Sequence, residues 1–405
     1  MNPATPHADP LGNHVKRTAE PTPGAYGSRN ARRGGVYYAF IPAQIAERSF
    51  PLGDASAAAV SGATRALAQL AGASPRLASL DALARNVLRT ESMASSRIEG
   101  VQVSQKRLAR NAHNAKSGRA SDPKALEVLG NVDAMEKAID LGASGLTITV
   151  TDLQEIHRRL LRFTEDEGIA GVIRTEQNWI GGNDYNPVGA DYVPPPPDRV
   201  PDLLEDLCSF LARDDLAPIA QAAIAHAQFE NIHPFADGNG RTGRAIIYSV
   251  LRRRGETAAF IPPLSLVLAS QPKAYVGGLG AYSQGKVDVW CERFALATTQ
   301  AVDEAEGLAN AIEDLAELWL DRLGQPRSDA AVRQLVAELP AYPVIDAGVA
   351  EAITGKSHTA ANNALNQMEA AGILKPLNER KWGRAWEAGE LLELVGEYEQ
   401  RLVTA

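Results

Sequence analysis

Along most of this chain apolar residues recur three and four positions apart, the period of an amphipathic helix. The pattern predicts helices over about 54–71, 76–95 and 122–141, where alanine and leucine add helix propensity. It predicts others at "VPDLLEDLCSFLARD", at "APIAQAAIAHAQFENI", after a motif near residue 240, and from about 289 to 323. Thr151, ahead of "DLQEIHRRLLRF", reads as an N-cap with Glu155 in the first turn. Residues 172–197, "VIRTEQNWIGGNDYNPVGADYVPPPP", break the pattern. Alternating apolar and aromatic positions, a Gly-Gly turn and four prolines predict a short extended hairpin running into a rigid polyproline stretch.

The ends differ from the middle. Residues 1–35 are rich in Pro, Gly, Ala, Asn and Arg without periodicity and read as a disordered leader. The tail predicts a helix over 347–354, a turn at Gly355, a helix over 357–371, then two short strands around an Asn378–Gly383 turn, the order of a winged helix-turn-helix. The resulting division is a leader (1–35), an N-terminal helical region (36–130), a core (131–300), a connecting helix (301–324) and the tail unit (325–405).

Composition narrows the class. The 405 residues are 45% hydrophobic and carry a formal charge of −8, which fits several packed units and argues against coating nucleic acid or anionic membrane by bulk charge. The two cysteines, Cys208 and Cys291, lie in helical stretches without a C-x-x-C pair, so buried reduced thiols are expected. The N-terminus lacks a signal peptide's apolar core and no run approaches the ~18 apolar residues that span a bilayer. No membrane association is expected, and the cytoplasm is the expected compartment.

"HPFADGNGRTGR", residues 233–244, concentrates the chemistry. Pro234 fixes one dihedral and Gly238 and Gly240 permit positive φ, so successive N–H groups can turn inward as an anion nest at the start of the next helix. Arg241 and Arg244 are neighbours on one helical face. At an effective dielectric near 20, a guanidinium about 4 Å from a phosphate oxygen gains roughly 4 kcal/mol before desolvation. Asp237 would repel a polyphosphate unless a divalent cation stood between them, and Mg²⁺ takes one carboxylate plus phosphate oxygens. His233 can accept a proton near neutral pH. His226, Glu230 and His233 fall at i, i+4 and i+7, a metal-ligand spacing that Pro234 disfavours by biasing His233 out of the helix. Base, cation ligand, nest and arginines describe group transfer from a nucleotide to a hydroxyl.

These residues resemble the signature of the Fic family, H-P-F-x-[DE]-G-N-G-R-x-x-R, at every fixed position, and "QNWIGG" and "YVPPPP" resemble the family's flap and the segment after it. The resemblance covers about residues 35–300. It implies a mainly α fold, a helical core with a β-hairpin flap, here joined to a C-terminal winged helix. It implies transfer of AMP from ATP to a hydroxyl of a target protein or of the chain itself. Carried over by position, His233 is the base and Asp237 the Mg²⁺ ligand. Phe235, Gly238, Asn239, Gly240, Arg241, Gly243 and Arg244 form the nucleotide site, and Tyr275 is a candidate contact for adenine. Relatives that transfer phosphate, UMP or phosphocholine are a neighbouring alternative, against which the intact Asp237 and Gly238-Asn239-Gly240 speak. The family's inhibitory motif, [ST]-x-x-x-E-[GN], is matched by "SSRIEG". Ser95, Glu99 and Gly100 then end a helix over about 81–100, with Glu99 expected to pair with Arg244. A homodimer is compatible with such a brake. A different class of function is a DNA-binding regulator using Lys356, Ser357, His358, Thr359, Asn362 and Asn363, with Arg380, Lys381 and Arg384 on the wing.

Overall fold

The computed structural model of the chain describes residues 10–22, 32–72, 77–116, 118, 122–257, 261–377 and 383–404. The fold is mainly helical, with a two-stranded and a three-stranded antiparallel sheet. Its residues form two compact units: the first from 1–64, 134–256 and 273–296, the second from 65–133, 257–272 and 297–405.

In the first unit, β1 (Gly12–Ala19) pairs antiparallel with β2 (Gly35–Pro42), from Gly12 opposite Pro42 to Ala19 opposite Gly35. The expectation of a disordered leader over 1–35 therefore fails for β1. "GNHVKRTA" has little apolar pattern of its own, and its order comes from a partner some twenty residues away. The helices of this unit include Val150–Leu161, Val200–Leu211, Pro218–Ile232 and Asn239–Arg253. The third is buried almost all round. Its alanines at 220, 222, 223, 225 and 227 let neighbouring backbones approach closely, and Trp290 Nε1 donates to the Ala223 carbonyl at 2.7 Å. It begins on Pro218, which supplies a helical φ at a position with no intrahelical donor.

The Val150–Leu161 helix starts on Thr149, whose hydroxyl accepts from the Asp152 N–H while the Asp152 carboxylate accepts from the Thr149 N–H. This capping box lies two residues before the predicted cap at Thr151. The predicted hairpin over 172–197 is also reduced. It forms single bridges, Ile180 with Tyr192 and Ile173 with Phe235, in place of continuous strands. Gly181 and Gly182 both take positive φ between them.

In the second unit, a helix over Leu80–Ile98 is capped by Ser79 and holds a buried polar seam. Asn131 Nδ2 donates to the Ser92 carbonyl and to Ser96 Oγ, and Glu91 accepts from the Ser265 N–H at 2.7 Å. Further along, Ala331–Glu338, Ala347–Thr354 and His358–Ala370 pack beside a sheet of order β3 (Val344–Asp346), β5 (Ala385–Glu387), β4 (Lys375–Pro376). Arg380 and Lys381, expected on the wing, lie outside the described residues. Cys208 and Cys291 are free and buried, and burial pushes both thiols up to about 12. Among the described residues no helix is long and apolar enough to cross a membrane.

Candidate active site

The motif loop joins two helices, labelled α1 (Pro218–Ile232) and α2 (Asn239–Arg253) from here on. Pro234 cannot continue α1, and His233 turns the chain in a left-handed conformation, φ 49 and ψ 60, its N–H donating to the Phe229 carbonyl. A histidine with positive φ is uncommon and marks a position held by its surroundings. Gly238 repeats the device at the start of α2, with φ 75. A Cβ there would lie 2.8 Å from Leu160 Cδ2 and 3.1 Å from His157 Nε2, so glycine is required both for conformation and for space.

The loop between these turns is fastened from inside. Asn239 Oδ1 accepts from the Phe235 N–H and its Nδ2 donates to the Phe235 carbonyl, both at 2.8 Å. The Asn239 side chain is thus a staple within the loop. Phe235, expected in the nucleotide site, is wholly buried and stacks on His157, with ring centroids 3.8 Å apart and planes 1° from parallel. An apolar ring belongs under the loop, where water is excluded. His157 Nδ1 accepts from the Gly171 N–H, which leaves the proton on Nε2 to donate to the Asp237 carbonyl at 2.9 Å. Burial pulls the imidazole down to about 4, so it stays neutral and keeps that tautomer.

The outer side of the loop carries the polar chemistry. The Asp237 side chain is 60% exposed, with Arg241 Nη2 at 3.3 Å from its Oδ2. Arg241 and Arg244, in the first two turns of α2, are 3% and 1% exposed, and the leading N–H groups of that helix have no partner within it. Gly243 faces the other way. A Cβ on it would meet Glu230 Oε1 at 2.4 Å and Phe229 Cδ1 at 3.1 Å, so its missing side chain serves the α1–α2 contact. The remaining expected contact is Tyr275. It is 7% exposed, and its hydroxyl is 2.8 Å from His226 Nε2 beneath a nearly parallel ring pair. His226 is neutral, pulled down to about 3 by burial and then by Arg244. Its Nδ1 lies 3.9 Å from Glu230 Oε1, and among the described residues no three His, Cys, Asp or Glu side chains gather as metal ligands. The donor set at the loop fits a cation held by one carboxylate, Asp237, with the rest of its shell from phosphate and water.

Ser95, Glu99 and Gly100 lie in the second unit. Ser95 is buried; Glu99 ends its helix and is exposed, followed by Gly100 at φ 83.

Three residues absent from the sequence reading support the loop: His157, Arg174 and Asn178. Arg174 donates to the carbonyls of His233, Glu176 and Pro195 at 2.8, 3.0 and 2.6 Å. Asn178 Nδ2 donates to the Phe235 carbonyl at 2.9 Å. Only the position of Arg174 in an otherwise apolar and amide-rich stretch could have signalled it.

Fold and loop together define a helical protein in which a short turn between two buried helices carries His233, Asp237 and the N-terminus of α2. Residues 147–251 match the Fic/DOC family and residues 57–140 its N-terminal family. Over these residues the chain is of the Fic/DOC family. Protein adenylyltransferase Fic of Drosophila willistoni is 36% identical over 140 residues, 34% of this chain and 26% of that protein. Protein adenylyltransferase fic-1 of Caenorhabditis briggsae is 38% identical over 128 residues, 32% of this chain and 23% of that protein. The chain thus spans about a quarter of the length of the curated relatives it matches. A Fic family protein from Desulfovibrio desulfuricans G20 shares the fold at a TM-score of 0.51 and 22% identity, covering 84% of this chain and 97% of that one.

Proposed function

We propose that this chain moves AMP from ATP to a Ser, Thr or Tyr hydroxyl of a protein, itself included. His233 accepts the hydroxyl proton, the hydroxyl oxygen bonds to the α-phosphorus, the bond from that phosphorus to the oxygen bridging to the β-phosphate breaks, and pyrophosphate leaves. The N–H groups of Gly238, Asn239 and Gly240 and the guanidinium groups of Arg241 and Arg244 stabilise phosphate charge, and a positioned base adds about 10²–10⁴-fold. Asp237 would hold Mg²⁺, which supplies charge neutralisation to the triphosphate when bound. The observation that carries this reading is the pair of left-handed turns at His233 and Gly238. They set an imidazole, an exposed carboxylate and a helix N-terminus around one short loop. The names of the relatives support the same reaction. The segment around residues 176–182 would register the target by strand addition.

Glu99 is read as a brake on this site through the "SSRIEG" match. Intact mass spectrometry after incubation with ATP and Mg²⁺ tests both ideas. Glu99→Gly is expected to gain one AMP mass faster than wild type, and His233→Ala to gain none while remaining folded. An adduct on His233→Ala removes the base. Equal labelling of wild type and Glu99→Gly removes the brake.

The order helix, strand, helix, helix, strand, strand over 331–387 supports a winged-helix reading of the tail. The polar N-terminal end of its His358–Ala370 helix favours DNA as a second reading: Lys356, Ser357, His358, Thr359 and Asn363 are exposed. Against it, residues 325–405 hold more acidic than basic side chains. A mobility-shift assay on the full chain at two salt concentrations decides between them, since phosphate contacts weaken steeply with salt. No shift at low salt leaves the transferase alone.

A further inference from the structure

Arg174 stands at the root of the segment 176–192 and outside every motif. Its guanidinium reaches three separate stretches of chain: Nε donates to the His233 carbonyl at 2.8 Å, Nη1 to Glu176 at 3.0 Å, and Nη2 to Pro195 at 2.6 Å and Ile232 at 3.4 Å. Each of these bonds ends on a backbone carbonyl. Its own backbone N–H adds a fifth, to the Pro234 carbonyl at 2.9 Å. The residue is 6% exposed, and burial pulls the guanidinium down to about 10. Burying a cation is costly without dense compensation, and the compensation has a direction. The carbonyls of Ile232 and His233 are the last of α1, where the helix dipole is negative and intrahelical donors have run out. A planar fork fixes both distance and direction of the groups it binds, which a point charge does not.

The peptide so fixed is that of His233, whose left-handed conformation is unfavourable in isolation. Asn178, on the same segment as Glu176, adds a second tie through Nδ2 to the Phe235 carbonyl at 2.9 Å, with the His233 carbonyl at 3.5 Å. We propose that Arg174 is a positioning residue that locks the root of the flap to the backbone of His233. The flap segment that registers an incoming hydroxyl and the imidazole that deprotonates it then move as one piece. Its consequence for turnover rests on the AMP-transfer reading above; its structural content does not.

The test uses the full chain in a Glu99→Gly background, with Arg174→Lys, Asn178→Ala and both. Lysine keeps the charge and loses the fork. The readouts are self-labelling from α-³²P-ATP with Mg²⁺, ATP affinity by calorimetry, and the imidazole resonances of His233, assigned with His233→Ala. Arg174→Lys is expected to slow labelling about 100-fold, the scale of a small misplacement of reacting groups, and Asn178→Ala about ten-fold. ATP affinity should stay within about three-fold, and the His233 resonances should move while those of His226 do not. Asn178 is only half-buried, so its variant carries the test alone should Arg174→Lys unfold. Labelling within two-fold of the parent overturns the proposal, as does a loss matched by lost ATP affinity with unmoved His233 resonances. A parent that labels nothing sinks the transfer reading instead, and the His233 resonances of the variants then decide the positioning claim.

Discussion

At Gly238 the missing side chain serves two needs at once, a left-handed φ and a gap that Leu160 and His157 close to contact distance. Gly238→Ala adds backbone strain to a clash with a buried leucine and is expected to destabilise the fold by about 2 kcal/mol, read as a shift of the urea midpoint at unchanged slope. A shift below about 0.5 kcal/mol would mean that the loop has another low-energy path. Residue identity at such points was legible because the motif is contiguous: His233, Asp237, Gly238, Arg241 and Arg244 announce themselves together. Arg174 and His157 were not, since what they bind is the backbone of residues 59 and 80 positions away. A carbonyl carries no side-chain signature, so nothing in the sequence near either residue names its partner. Tyr275 shows a different limit: an aromatic residue after the motif reads equally as a ligand wall or as core, and its contact with buried His226 has no signature in the sequence.

Elements were more legible than their ends. The helical period persists through burial, so the helices around the motif could be read from it, whereas strand β1 depends on β2 and has no pattern to read. The helix carrying His157 illustrates the limit. Thr151 and Gln154 satisfy the usual Ser/Thr-x-x-Gln spacing of a capping box, yet Thr149 and Asp152 form it. The shorter carboxylate bonds the Thr149 N–H at 2.9 Å, and Thr151 is left exposed in the first turn. Thr149→Ala is therefore expected to cost about 1 kcal/mol, and Thr151→Ala within about 0.5 kcal/mol. The reverse order in thermal unfolding would place the cap back at Thr151. The cost should reach the site too, because this helix presents His157 to the Asp237 carbonyl.

At the scale of the whole molecule, buried His226 and His157 in the first unit and buried Glu399 in the second respond to pH with opposite sign. In the first, His226 is buried and neutral at about 3, below the ordinary 6.5, facing Arg244, Glu230 and Tyr275; His157 is displaced in the same direction. The unfolded chain binds protons below pH 6.5 that the folded unit refuses, so this stability is complete above 6.5 and drains as pH falls toward 3. In the second, Glu399 is raised to about 7 by burial, against the pull of Gln105 at 2.6 Å and Arg97 at 3.7 Å. Its unfolded counterpart ionises near 4.5, so that stability is complete below 4.5 and drains as pH rises to 7. Each group contributes a slope of about 1.4 kcal/mol per pH unit inside its window, and between pH 5 and pH 6.5 the slopes of the two units oppose each other. A global melt across that range will register only the remainder, while hydrogen exchange resolved by peptide separates the two, since units open at their own free energies. Peptides from 218–232 should gain protection from pH 5 to pH 6.5 after correction for intrinsic exchange, and peptides from 389–402 should lose it. Glu399→Gln should flatten the second trend and leave the first. Parallel trends in both units, or an unaltered slope in Glu399→Gln, would refute this assignment of the pH response.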